Sequence, residues 1–408
     1  MIFIVLLFFL IFYFSVPKGS AAKIFILLYL VSLCSNFLIG TDLSVRGFSD
    51  ILYAIWTIIV LYIIISSWKS SFQIENIFCT NEKKLNKFVL CVGSVCIIMT
   101  IGCFAIAYLV SQVVEDINVF KYRGGQEDTY ASLGISMKPY LLAYILYPIS
   151  YLFVPLIFFY LSRKNYKLTL WCLVCSLTSV AFGLAYFSRS HTTQYIMIMA
   201  ISYWFYVKSL PKKIRLWTTR CVTIIVILIA ASFVVISYSR FDGHEYYRQN
   251  SNAVLKNEVA YSMADYFGMW YPVGNDVFNM YHFEGFNGKI AFSGIDRFLH
   301  MVTFGVVPSY SMDLMKQREL LLKEHAGDFI GVSSYFLYDT GIIISLLILL
   351  FYNKRVKILH SQNNSISIFH AMEQTILILL PLFGIFYSAL DVILLLYFYW
   401  FVIKFLLK

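Results

Sequence analysis

The chain is built from long apolar runs without a single charge, such as "IFIVLLFFLIFYFSV" at 2–16 and "CVTIIVILIAASFVVISY" at 221–238. About 20 consecutive apolar residues in a helix match the hydrocarbon core of a bilayer. Inside lipid every backbone polar group must be paired within the protein, which leaves helices or closed barrels. Barrel strands alternate apolar and polar residues, and these runs do not. The expected fold is therefore all-α, a polytopic integral membrane protein. Composition agrees: of 408 residues 60% are hydrophobic and 13% charged, against about 25% charged in soluble domains.

Eleven spans are expected, at 2–16, 22–39, 50–67, 88–110, 140–161, 168–187, 192–207, 219–238, 331–352, 371–390 and 392–407. Loop charge orients them. Lys18 and Lys23 follow the first span, Lys69, Lys83, Lys84 and Lys87 the third, and Arg163, Lys164 and Lys167 the fifth. Lys208, Lys212, Lys213, Arg215 and Arg220 follow the seventh, and Lys354, Arg355 and Lys357 the ninth. The intervening loops are poor in net positive charge; the sixth has Arg189 and the tenth Asp391. Basic loops face the cytoplasm, which puts the N-terminus outside and the C-terminus inside a plasma membrane. The net charge of +10 then belongs to orientation, and no nucleic-acid partner is expected.

The chain divides into 1–238 with eight spans, a large extracytoplasmic loop at 239–330 holding short helices, and 331–408 with three spans. Within the loop, "IDRFLHMVTFGVVPSYS" at 295–311 is too short to span and too apolar to be fully solvated, so it reads as interfacial or re-entrant. No cysteine falls in an outer loop, and Cys172 and Cys175 read as small packing residues inside a span. No phosphate-binding G-x-x-x-x-G-K-[ST], zinc-binding H-E-x-x-H or nucleophile-elbow G-x-S-x-G occurs. No metal or cofactor is expected. Carboxylates within spans are rare and mark function or pairing; Asp339 in "SSYFLYDTGIII" is the clearest, while Glu373 reads as lying at the cytoplasmic interface.

Three regions are candidate sites. In "YFSRSHTTQY" (186–195) Arg189 and His191 occupy a short outer turn. Arg189 is either an arginine snorkelling to the interface or an anion site, since guanidinium binds phosphate bidentately. In "SYSRFDGHEYYRQN" (237–250) Arg240, His244 and Arg248 recur every four residues, with Asp242 and Glu245 between them. On a continued helix they share one face, which suits a lipid-linked phosphate and an acid or base; a solvated helix extension is the other reading. The aromatic stretch 261–292 offers Trp270, Tyr271, Asp276, Tyr281 and His282 either as a sugar site or as a loop core docked on the membrane.

This layout resembles the Wzy-type O-antigen and capsule oligosaccharide repeat-unit polymerases of bacteria. The shared features are many spans, a large outer loop in the C-terminal part, arginines at the outer ends of two spans (Arg189 in "SRSHTTQY", Arg240 in "SYSRFDG"), and the Asp-x-Gly of "SSYFLYDTGIIISLLILL" after the loop. Some members carry Gly eleven positions after each arginine; here Ala200 and Ser251 stand there. The resemblance implies a metal-independent glycosyltransferase. Its substrate would be an oligosaccharide on undecaprenyl pyrophosphate, and its partner a chain-length regulator. Arg189, Arg240 and Arg248 would hold the pyrophosphate, with His244 or Glu245 as base beside Arg240. An O-antigen ligase would share the architecture. A lipid-linked glycan flippase would show a central polar pathway, which the spans lack.

Overall fold

The computed structural model describes residues 2–41, 47–113, 138–185, 189–220, 223–224, 227, 253–281, 285–322, 329–360, 364–387 and 389–407. The chain is mostly helical, an all-α membrane protein. In chain order the helices are α1 (Ile2–Ser15), α2 (Ala21–Ile39), α3 (Phe48–Ser66), α4 (Glu82–Val113) and α5 (Lys138–Leu146). A tight 3-10 stretch, Tyr147–Leu152, joins α5 to α6 (Phe153–Ser162); α7 (Tyr166–Ser176), α8 (Thr178–Ala185) and α9 (Arg189–Tyr206) follow. Next come α10 (Glu258–Gly268), α11 (Trp270–Asn279), α12 (Lys289–Val302) and α13 (Ser311–Leu322). The chain ends with α14 (Gly331–His360), α15 (Ile368–Leu377), α16 (Leu379–Phe383) and α17 (Leu390–Leu407).

Among the described residues, seven helical segments are long and apolar enough to cross a membrane: Ala21–Ile39, Phe48–Ser66, Glu82–Gln112, Leu142–Ser162, Tyr166–Ala185, Gly331–His360 and Leu390–Leu407. Ile2–Ser15 and Ile368–Phe383 are shorter apolar helices. Most of the expected span at 219–238 lies outside the described residues.

The spans lock together through side chains that have no other place to put their polar atoms. Between α4 and α7, Trp171 donates its indole N–H to the Val89 carbonyl at 3.1 Å. The Cys175 thiol donates to the Gly93 carbonyl at 3.4 Å. A Cβ on Gly93 would sit 2.9 Å from the Cys175 sulfur, so only glycine allows this approach. Cys172 and Cys175 are buried free thiols used in packing. At the end of the bundle bearing the basic loops, a two-stranded parallel ribbon pairs β1 (Asn76–Phe78) with β2 (Ser365–Ser367). Near it Glu373 is fully buried and takes a fork of hydrogen bonds from Arg355, Nε at 2.5 Å and Nη2 at 2.9 Å. Glu373 is thus a carboxylate buried in the bundle at the end that bears the basic loops, and the Arg355 fork makes it tolerable there.

The segment between the eighth and ninth expected spans does not stand off as a separate loop. Its helices are driven into the bundle. α10 runs down α2: Val254 N–H bonds the Leu38 carbonyl at α2's end, whereas the Phe267 carbonyl accepts from Ser32 at 2.5 Å. At the bottom Trp270 donates to the Ser32 hydroxyl at 2.6 Å and meets Tyr29 edge-on. α11 then returns along α3, where Asn275 and Asn279 both donate to Asp50, at 2.9 and 3.1 Å. Gly274 admits this return, since a Cβ there would lie 2.7 Å from the Ile330 carbonyl and 2.8 Å from the Ser334 hydroxyl.

α12 forms a second insertion. It runs parallel to α17: Gly294 touches the Asp391 backbone, and four residues on Phe298 meets Phe398 at 5.1 Å. Phe304 and Gly305 then take positive φ and reverse the chain. The return is tied back by Ser309 to Asp296 at 2.5 Å and Tyr310 to the Lys289 carbonyl at 3.3 Å. The tip is apolar and bare, Phe304 being 97% exposed. The segment 295–311 thus forms the second half of a helix and a tight return with an apolar tip.

α14 is broken at Gly341 (φ 69°, ψ 175°), a conformation open essentially to glycine alone. The carbonyls this releases do not go unpaired. Tyr338 and Asp339 accept the N–H groups of Phe286 and Gly288, at 2.7 and 2.5 Å.

Candidate functional site

A polar pocket of about 270 Å³ lies at the end of the bundle where α9, α14 and α17 begin. α9 contributes Ser190, His191 and Gln194 from its first two turns. α17 contributes Asp391 from its first turn, α13 contributes Arg318, and α14 contributes Tyr335. Tyr144, Tyr147 and Tyr387 complete the wall. Residues nearly 200 positions apart meet here because the spans bring their ends to one level.

The pocket's polar groups are held from behind. Gln194 is buried; it accepts from Tyr151 at 3.3 Å and donates to Tyr387. The His191 ring stands edge-on to Tyr147 at 4.9 Å and Phe182 at 5.0 Å, and Ser190 lies 3.3 Å from its Nδ1. Tyr144 donates to the Asp391 carboxylate, and the Arg297 guanidinium, 4.4 Å from the Tyr144 ring centre, also acts on Asp391. Arg318 donates from Nη2 to the Tyr335 hydroxyl at 2.9 Å, but its buried Nε has no hydrogen-bond partner. A buried donor without a partner costs about 1–3 kcal/mol. The arrangement therefore puts one guanidinium, a carboxylate and an imidazole around one small space, with Arg297 acting on the carboxylate from outside the lining. Such a set suits the binding of an anionic group next to a group that accepts a proton.

A second, larger cavity of about 830 Å³ lies on the other side of α12's first turn. Its upper rim has Tyr281, Asn287 and Thr340; its wall descends through Ile344, Leu347, Ile348 and Phe351 of α14 and Leu394 of α17. Ala291 lines this groove while Ile290 lines the polar pocket, and Leu390 lines the groove while Asp391 lines the pocket. Burial raises the Tyr281 phenol above the usual tyrosine range, so it stays a neutral hydrogen-bonding group.

The sequence candidates divide among these places. Arg189 is the first residue of α9, directly before Ser190 and His191 of the pocket wall; its side chain falls outside the described residues. Arg240, Asp242, His244, Glu245, Arg248 and His282 also lie outside them. Trp270 and Tyr271 do not line the pocket. Both are buried at the turn of the α10–α11 hairpin, Tyr271 against Tyr53 at 5.3 Å, because an inserted hairpin needs large side chains to fill its tip. Asp276 is half-buried on α11 and acts on Tyr53. Tyr281 reaches the groove rim.

Sequence reasoning missed Arg297, Arg318, Asp391 and Tyr387. Asp391 had a signal, as the lone charge of the tenth loop.

The fold and pocket define an all-α membrane protein with a polar site among the ends of its helices. Compared with models of known protein families, with curated proteins and with solved structures, the chain gives no match.

Proposed function

We propose that the chain polymerises oligosaccharide repeat units carried on undecaprenyl pyrophosphate, at the outer face of a bacterial plasma membrane. It would cross that membrane eleven times, with the N-terminus outside. The observation that carries this reading is the polar pocket, where the Arg318 guanidinium shares one lining with Asp391 and His191. Arg189 begins the helix that forms one wall, which fits the arginine that the family resemblance assigns to the pyrophosphate.

In the reaction the acceptor sugar hydroxyl attacks the anomeric carbon of the donor. A new C–O bond forms as the bond to the carrier pyrophosphate breaks, and the pyrophosphate departs with the electron pair. Arg318 and Arg189 stabilise the charge that grows on the leaving oxygen, the kind of preorganised electrostatics that dominates such steps. The hydroxyl proton passes to a base. Asp391 is one candidate, held by Tyr144 and Arg297. His244 and Glu245, with Arg240 and Arg248, are the others. Positioning of two lipid-linked substrates supplies the rest of the rate.

The deciding experiment is the glycan-length profile of a deletion strain. Single repeat units attached to lipid are expected. Complete absence of attached glycan would instead indicate a ligase or flippase, and an unchanged profile would overturn the proposal.

A further inference from the structure

The groove of about 830 Å³ between α14, α17 and the 285–292 segment is not used by the polar pocket's chemistry. Its size falls in the range of roughly 300–1,000 Å³ typical of built ligand sites. It is graded: hydrogen-bonding groups of Tyr281, Asn287 and Thr340 at the rim, then hydrocarbon alone from Ile344 to Phe351. The apolar wall lies on α14 and α17, both long and apolar enough to cross a membrane, so bilayer lipid reaches it from the side. Gly341 stands where rim meets wall, and a Cβ there would touch nothing within 4 Å. The helix break thus opens space at the level where a headgroup gives way to a chain.

We propose that this groove seats the isoprenoid chain of the lipid-linked substrate, with its phosphate end leading from the Asn287–Thr340 rim toward the polar pocket. This rests on the function proposed above. The reason for a chain leading into the pocket, instead of an ordinary phospholipid, is adjacency. Groove and pocket are lined by consecutive residues, Ala291 and Ile290 on α12 and Leu390 and Asp391 on α17. The first turn of α12 lines both cavities, and an isoprenoid diphosphate has its charge directly at the end of its chain. A phospholipid places a glycerol and two chains at that level instead.

The test uses the full chain in nanodiscs of phosphatidylglycerol and phosphatidylethanolamine with a diazirine-bearing polyprenyl diphosphate. Photolabelling is expected on the segment from Ile344 to Phe351 and on Leu394. Unlabelled polyprenyl phosphate should compete, and added phosphatidylglycerol should not. Leu347→Trp, which fills the groove, should lower labelling about tenfold. Ile343→Trp, an exposed position outside the groove lining, should leave it unchanged and report on folding. Equal competition by phosphatidylglycerol, or labelling elsewhere, overturns the groove. Groove labelling in a protein whose deletion leaves the glycan-length profile unchanged overturns the polymerase instead. Loss of polymer on deletion with labelling elsewhere overturns the groove alone.

Discussion

The carboxylate of Asp339 in α14 caps α12: Oδ1 accepts from the Ile290 N–H at 2.9 Å and Oδ2 from the Ala291 N–H at 2.8 Å. The intramembrane acid therefore holds an inserted helix in place, and both cavities depend on that helix's first turn. Helix N-caps contribute about 0.5–2 kcal/mol. Asp339→Asn keeps one acceptor oxygen and should lose about half of this; Asp339→Ala should lose all of it, and both polymer formation and groove labelling with it. Thermal unfolding in detergent, read beside the polymer assay, checks the order Asp, Asn, Ala.

Arg318→Ala should lower polymer formation by roughly 10- to 100-fold, the size expected from about 1.5–3 kcal/mol for a hydrogen bond to a charged group. Lysine should restore only part, because it lacks the planar fork. Arg189→Ala and Arg240→Ala should behave likewise at normal protein levels. Arg163→Ala, which removes a half-exposed ion pair with Glu82, should have no effect. Full-length polymer from all three arginine variants would remove the anion site.

The Arg355–Glu373 pair is a test of burial cost. Removing one partner of a buried pair costs about 3–5 kcal/mol; Arg355 is partly exposed, so the lower end is expected for Arg355→Leu. Glu373→Gln should be milder, because the amide still accepts. The double change Arg355→Leu with Glu373→Leu should recover most of the loss, since no unpaired charge remains. Fluorescence-detected thermal melting of the wild type, Arg355→Leu, Glu373→Leu and the double variant completes the cycle.

Gly285 and Gly341 should differ in what they tolerate. A Cβ on Gly285 runs into the Tyr338 carbonyl, which already accepts from Phe286, so Gly285→Ala should displace α12 and abolish function. Gly341 has open space but a glycine-only backbone, and Gly341→Ala should cost about 1–3 kcal/mol of strain with a milder functional loss. Protein yield and polymer length in the two variants separate a steric block from a conformational cost.

Orientation is checked by cysteine labelling of intact cells, in a background whose native cysteines are replaced. Lys256→Cys should react with an impermeant maleimide from outside and Lys84→Cys only after lysis. The reverse pattern would invert the topology and place both cavities on the cytoplasmic side.

Patterns of apolar residues determined the class of this protein. Runs such as 22–39 and 392–407 have one low-energy option in lipid, a helix with its backbone bonds made within the segment, and α2 and α17 follow them within two residues. Periodicity carries no record of partners, however. Trp270 and Tyr271 have the same chemistry on a sugar platform as in a hairpin tip, and only the contacts with Ser32 and Tyr53 decide between them. The same holds for Arg318 and Asp391, which lie in unrelated stretches of sequence and meet only because α12 and α13 fold back against the starts of α9, α14 and α17. Lipid fixes which segments become helices. Which charged ends come together depends on long-range packing and on the few glycines and caps, Gly285, Gly341 and Asp339, that let inserted helices approach.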